Sequence, residues 1–125
     1  MIEHDTQNRI LPSSIRAACG LGEGLRFDAG KLRLDLIPPE WLEALGGVLT
    51  VGAAKYAPRN WELGMPWSKV WGPLLRHCLA WLKGERNDPE TGQHHLAHVA
   101  WNALALMVYE MRKLGEDDLN RKAKP

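Results

Sequence analysis

Apolar residues recur at helical spacing in three stretches of the chain, and no stretch alternates convincingly as a strand would. The first, "LIPPEWLEALGGVLTVGAAKYAP", sets Trp41, Leu42, Leu45, Val48 and Leu49 three and four positions apart. It predicts a helix with Pro39 in its first turn and Pro58 beyond its end. Gly46, Gly47 and Gly52 weaken that helix by about 1 kcal/mol each against Ala, and they let another backbone come close. "RNWELGMPWS" reads as a loop. The second stretch, "WSKVWGPLLRHCLAWLKGE", carries an apolar stripe of Trp71, Leu75, Cys78, Leu79 and Leu82. Pro73 has no amide hydrogen to give, so the main body is expected to start at Gly72 or Pro73. The third helix is expected from about Gln93 to Leu114.

That third helix is the unusual one. Between Leu96 and Val108 only His98 and Asn102 are polar. A helix apolar nearly all round is usually buried between others, a second subunit included. At about 100° per residue, His95, His98, Asn102 and Tyr109 fall within roughly 60° of one another. Burying imidazole and amide groups without partners costs about 1–3 kcal/mol each, so the stripe needs water, another side chain, a metal or a ligand. A satisfied core network would meet that need, and so would a functional site. Glu85, Asp88 and Glu90 lie in the loop just before it, where they could ligate, or cap the following helix. His94 lies about a quarter turn off the face.

A second constellation is "GAAKYAPRNW". Lys55 and Arg59 offer cations, Asn60 an amide, and Tyr56 and Trp61 flat faces, a set that could hold phosphates and a base. The same residues could equally be a helix end whose cations complement the dipole. Arg76 and His77 add a further cation and a proton carrier.

Composition narrows the classes. The 125 residues carry a net charge of +1, with no global basic field to suggest a nucleic-acid polymer as partner. Cys19 and Cys78 belong to no CxxC pair and read as free thiols of a reducing compartment. The N-terminus lacks a signal peptide's pattern, and no apolar run reaches the roughly 18 residues of a membrane span. A cytoplasmic chain is expected, in the host cytoplasm if phage-encoded. Residues 1–30 form a weakly ordered lead-in ending in "CGLGEGLRFDAGK". This is not a phosphate loop, because five residues separate Gly24 from Gly30 and Leu32 follows Lys31. Residues 31–114 are the domain, and 115–125 a charged tail expected to fray. The fold class is all-α, a small bundle of about three main helices completed by oligomerisation.

In order, "KLRLDLIPPEW", "GAAKYAPRNWELGMPWS" and "LLRHCLAWLKGERNDPETGQHHLAHVAWNALAL" resemble a phage-associated family of dATP/dGTP diphosphohydrolase N-terminal domains, from about Lys31 to Tyr109. The resemblance implies metal-dependent hydrolysis of a purine deoxynucleoside triphosphate to the monophosphate and pyrophosphate. It also implies kinship with the small all-α MazG-like pyrophosphohydrolases, which work as oligomers of helical bundles. Carried onto this chain, the motif positions are Lys55, Tyr56, Asn60, Trp61, Arg76, His77, Glu85, Asp88, Glu90, Gly92, His95, His98 and Asn102. Glu85, Asp88 and His98 are then the expected catalytic residues, and Glu85, Asp88, Glu90, His95 and His98 the expected ligands of a divalent Mg, Mn or Co ion. Lys55, Tyr56, Arg59, Asn60, Trp61, Arg76, His77 and Asn102 would hold the nucleotide. The chain lacks the ExxE…ExxD metal pattern of the MazG-like enzymes and has HxxH…N instead. The alternative is a non-catalytic nucleotide-binding protein, such as a phage nucleotide sponge.

Overall fold

A computed structural model of the chain describes residues 24–122. The described residues fall into two units, divided between Leu34 and Asp35. The first unit's described part, residues 24–34, is irregular, with one turn closed by the Lys31 amide on the Asp28 carbonyl. Most of the expected lead-in, Cys19 included, lies outside the described residues.

The second unit is all-α. It contains α1 (Pro39–Lys55), a 3₁₀ turn (Asn60–Leu63), α2 (Ser68–Leu82) and α3 (His95–Arg112). No strand forms among the described residues; two isolated bridges, Pro66 with Glu116 and Asn87 with His94, tie loops together. α3 is the central helix, packed extensively against α2 and less so against α1.

α1 starts as its prolines dictate. Pro38 is extended and Pro39 takes the first helical position, where a missing amide costs nothing. Of its expected apolar residues only Val48 is buried, while Trp41 and Leu42 face outward. Gly47 has a particular use. A Cβ there would collide with the Gln93 side-chain oxygen, so the bare glycine admits the loop before α3.

α2 begins at Ser68 rather than at Gly72 or Pro73, and Pro73 lies inside it. The first turn is secured from the far end of the chain. The Ser68 amide and hydroxyl donate to the Asp118 carboxylate at 2.9 and 2.6 Å, and the Trp67 amide donates to the Glu116 carbonyl. The Trp67 indole donates to the Leu114 carbonyl at 3.0 Å. These bonds give the turn enough outside support to tolerate the hydrogen bond that Pro73 cannot make. They also show that the tail is docked as far as Asp118, where fraying was expected. Val70 and Leu74 turn inward, whereas the Trp71, Leu75, Leu79 and Leu82 stripe is exposed.

α3 starts at His95 because the preceding His94 is its cap. His94 is extended, and its Nδ1 accepts the Leu96 amide at 2.9 Å. The helix ends in a Schellman-type closure with Lys113 in the left-handed conformation, φ 56°, and the Leu114 amide on the Tyr109 carbonyl. Gly64 and Gly115 follow the same logic of space. Both have positive φ, a Cβ on Gly64 would come 2.8 Å from the Gly115 nitrogen, and one on Gly115 would strike the Met65 carbonyl.

The core is small. Val70, Ala105 and Tyr109 form its centre, with Trp61, Met65, Trp67, Trp101, Leu106 and Leu114 packed round them. Burial of Val70 alone contributes about 1.5–3 kcal/mol. The Tyr109 hydroxyl donates to the Trp61 carbonyl at 2.6 Å, and Trp61 meets Trp101 edge to face at 5.7 Å. α3 is inverted relative to an ordinary surface helix. Its polar residues His95, His98 and Asn102 are buried, while Leu96, Leu104, Met107 and Met111 are exposed.

Candidate functional site

A cleft of about 1330 Å³ opens within the second unit. Lys55, Tyr56, Arg59, Asn60 and Trp61 line one part of it, at the end of α1 and in the following loop. Arg76 and His77 come from α2, Asp88 and Glu90 from the loop before α3, and His95, His98 and Asn102 from α3 itself. Glu85 is absent from the wall: it stands behind His95. A second, mostly apolar hollow of about 650 Å³, lined by Trp67, Trp71 and Leu106 among others, contains none of the expected catalytic, metal or nucleotide-binding residues.

The cations are at the wet edge. Lys55 Nζ lies 3.0 Å from Glu90, whose hydrogen bond holds the ammonium pKa above its ordinary value, with Tyr56 adding to the effect. Arg59 takes a left-handed backbone, φ 59° and ψ 18°, ahead of the 3₁₀ turn. That conformation is uncommon for a residue with a Cβ, and such positions gather at functional sites. Its guanidinium stays largely in solvent, 3.6 Å from Glu62, whose other oxygen is held by Arg112 at 2.8 Å.

The histidines are at the buried end. His95 Nε2 lies 2.6 Å from Glu85, and its Nδ1 is 2.8 Å from His77 Nδ1. The His77 ring stacks on His98, 4.2 Å apart and 3° from parallel. His98 Nε2 lies 2.8 Å from the Thr91 hydroxyl, which donates to Asp88 at 2.8 Å. His98 Nε2 is also 3.6 Å from Asp88.

Hydrogen-bond bookkeeping assigns the protons. A carboxylate can only accept, so His95 Nε2 carries the hydrogen that Glu85 receives. Nδ1 of a neutral His95 then accepts from His77 Nδ1–H, which leaves His77 Nε2 as a free acceptor. Thr91 has one hydroxyl hydrogen and gives it to Asp88, so His98 Nε2–H donates to Thr91 and His98 Nδ1 bears a lone pair. Burial lowers the pKa of His77, with the neighbouring His98 acting in the same sense. Burial also lowers that of His98, outweighing the attraction of Asp88. For Asp88 burial works the other way, but the Thr91 hydroxyl, the Glu90 amide and the histidines hold its acid below the ordinary carboxylate range. Two chains result, Glu85–His95–His77 and Asp88–Thr91–His98, joined by the stacked rings.

The five expected metal ligands do not converge. Glu85 is engaged with His95, Asp88 with Thr91, and Glu90 with Lys55. Among the described residues no three His, Cys, Asp or Glu side chains are placed to hold a metal ion. The donor set in this arrangement therefore does not fit a ready-made metal centre. His94, off the face in helical projection, is the helix cap.

Thr91 and Trp101 also line the cleft and had been given no role. Thr91 stands inside the "DPETG" motif, and a hydroxyl three residues after Asp88 was the signal that could have found it. Nothing local marks Trp101, one apolar residue among many on α3.

Fold and cleft together define a small all-α domain with a cationic and aromatic edge and a histidine-rich interior. The family described as dATP/dGTP diphosphohydrolase, N-terminal, matches residues 22–119, and the chain belongs to it. A dATP/dGTP diphosphohydrolase of Salmonella phage PMBT28 is 40% identical over 77 residues, 62% of this chain and 26% of that protein. The chain thus spans about a quarter of the length of that relative. No solved structure matches. No helix among the described residues is long and apolar enough to cross a membrane.

Proposed function

We propose that the cleft hydrolyses a purine deoxynucleoside triphosphate to the monophosphate and pyrophosphate. The observation that carries this reading is the pairing, in one wall, of Lys55, Arg59 and Arg76 with the two histidine chains. Family membership and the name of the phage relative support the same substrate class. The cations would hold the phosphates, and Tyr56 or Trp61 would lie against the base. Water attacks the α-phosphorus; a new P–O bond forms, the bond from that phosphorus to the bridging oxygen breaks, and pyrophosphate leaves. His77 Nε2, left free by the Glu85–His95–His77 chain, takes the water's proton. Asp88 orients His98 through Thr91. Metal dependence belongs to this proposal through the substrate: a triphosphate brings its own divalent ion (Mg, Mn or Co), and Asp88 and Glu90 are the two expected carboxylate ligands that line the cleft, beside His95 and His98.

The protein would act as a homo-oligomer. Trp71, Leu75, Leu79 and Leu82 on α2, with Leu104, Met107 and Met111 on α3, make outward apolar faces that a second copy would cover.

A second reading, nucleotide binding without cleavage, is favoured by the lack of a ready-made metal centre among the described residues. One assay separates the two. The chain is incubated with each dNTP and each of Mg, Mn and Co, and monophosphate and pyrophosphate are measured. Release of both from a purine dNTP supports the enzyme. Tight metal-independent binding with no turnover in any combination overturns it.

A further inference from the structure

We propose that Glu62 and Arg112 are positioning residues for the phosphate end of the cleft: Arg112 holds Glu62, and Glu62 aims the Arg59 guanidinium at the nucleotide's phosphates. The inference rests on the nucleotide reading above. It adds two residues to that reading, both acting through Arg59 rather than on the ligand.

Arg59, Glu62 and Arg112 all line the cleft. Glu62 stands between the two guanidiniums, with Oε1 2.8 Å from Arg112 Nη1 and Oε2 3.6 Å from Arg59 Nη1. Its side chain is 18% exposed, against 54% for Arg112 and 84% for Arg59. The two contacts differ in kind. At 2.8 Å Arg112 donates a charge-assisted hydrogen bond, which fixes the carboxylate. At 3.6 Å Arg59 is attracted without a hydrogen bond, so its donors stay open to a ligand while its direction is set.

The backbone serves the same end. Arg59 is left-handed, and the Glu62 amide closes the turn on the Arg59 carbonyl at 3.0 Å. Gly or Asn takes that conformation more easily, so the turn alone does not call for an arginine. The 3₁₀ turn is fastened to α3 at two points. The Tyr109 hydroxyl donates to the Trp61 carbonyl, and Arg112, three residues later, donates to Glu62. α3 also carries His95 and His98. Arg59 and the histidines are thus referred to one helix, and a triphosphate that engages both needs their spacing held.

A carboxylate beside Arg59 has a possible opposite effect, because it neutralises the cation and repels phosphates. The two roles differ in sign. If Glu62 masks Arg59, removing its charge strengthens binding through Arg59. If Glu62 aims Arg59, removing its charge weakens binding, since the ligand must then order a flexible guanidinium itself. The geometry points to aiming: Glu62 spends its short contact on Arg112 and leaves Arg59 loosely paired.

The test is calorimetry on the 125-residue chain with magnesium and the α,β-imido analogues of dATP and dGTP, which resist cleavage at the α-phosphorus. Glu62→Gln keeps the shape and removes the charge. It should weaken the tighter-binding analogue by about three- to fivefold. In an Arg59→Met background the same change should not weaken binding. Arg112→Met should show the same dependence on Arg59. Circular dichroism and thermal unfolding establish that each variant is folded, and if Glu62→Gln is not, Arg112→Met in the two backgrounds decides. An equal fold-change with and without Arg59 overturns the inference, as does a gain in affinity that requires Arg59. Unchanged affinity in Arg59→Met also overturns it and leaves the nucleotide reading standing. Failure of both analogues to bind the unmodified chain overturns both.

Discussion

His77 and His95 meet nitrogen to nitrogen, Nδ1 to Nδ1 at 2.8 Å, so one proton lies between them. Glu85, 2.6 Å behind His95, decides which ring carries it. A residue outside the cleft wall thereby sets the state of one inside it. Glu85→Ala frees His95 to turn over its protons and should lower pyrophosphate release by roughly 100-fold, while helical content is preserved. Activity within a factor of about two of the unmodified chain would remove the Glu85–His95–His77 chain from the mechanism.

His94 should behave differently from its neighbours. As the cap of α3 it holds one orphan amide, so His94→Ala should cost about 1 kcal/mol of stability and lower the midpoint of thermal unfolding by several degrees. Activity measured well below that midpoint should stay close to that of the unmodified chain. A fall as deep as that expected for Glu85→Ala would place His94 in the chemistry instead.

Stability should fall on mild acidification. His77 and His98 are held below the ordinary histidine pKa of 6.5, so between that value and their folded pKa values the unfolded chain binds more protons than the folded one. Unfolding free energy therefore drops as pH falls below about 6.5, and levels off once both are protonated in the folded state. Asp88, whose folded acid lies below 3.8, contributes stability that is lost only at far lower pH. Denaturant titrations from pH 8 to pH 5 check the first window, and His98→Gln should flatten the slope there. A slope unaltered by that change would show that His98 is not one of the responsible groups.

Lys55 offers a cleaner separation of binding from folding. Its partner Glu90 is exposed, and such pairs contribute little to stability. Lys55→Met should leave thermal unfolding nearly unchanged yet weaken nucleotide binding by about tenfold, the scale expected for one phosphate contact. Unchanged affinity by calorimetry would take Lys55 out of the phosphate site.

The crossing of Gly64 and Gly115 is the most demanding backbone position. Gly115→Ala combines positive φ with a collision against the Met65 carbonyl and should destabilise by more than about 1 kcal/mol. A midpoint unchanged in thermal unfolding would mean the two segments separate freely.

The three helices were legible because their periodicity is strong, and the His95–His98–Asn102 face because α3 is otherwise apolar. What escaped was set by contacts distant in sequence. The start of α2 depends on Asp118, which no local pattern around Pro73 reports. The direction of the α2 stripe escaped for a related reason: an apolar row marks a face to be covered, not what covers it, and here Val70 and Leu74 are the pair that turns inward. Chain order set Asp88 in the loop just before the face that holds His98, but not the Thr91 hydroxyl that joins them.

The Asp118 cap on Ser68 also orders events in time. Helix caps are ordinarily local, present as soon as the helix is made, whereas this one lies 50 residues downstream of the turn it serves. During synthesis the chain emerges from its N-terminal end, so α2 leaves the ribosome with only the local backbone bonds of its first turn, such as the Trp71 amide on the Trp67 carbonyl, and without the Asp118 carboxylate. The Asp118 contact can form only after α3 has followed it out. The capping of the second helix is thus completed later than the helix itself.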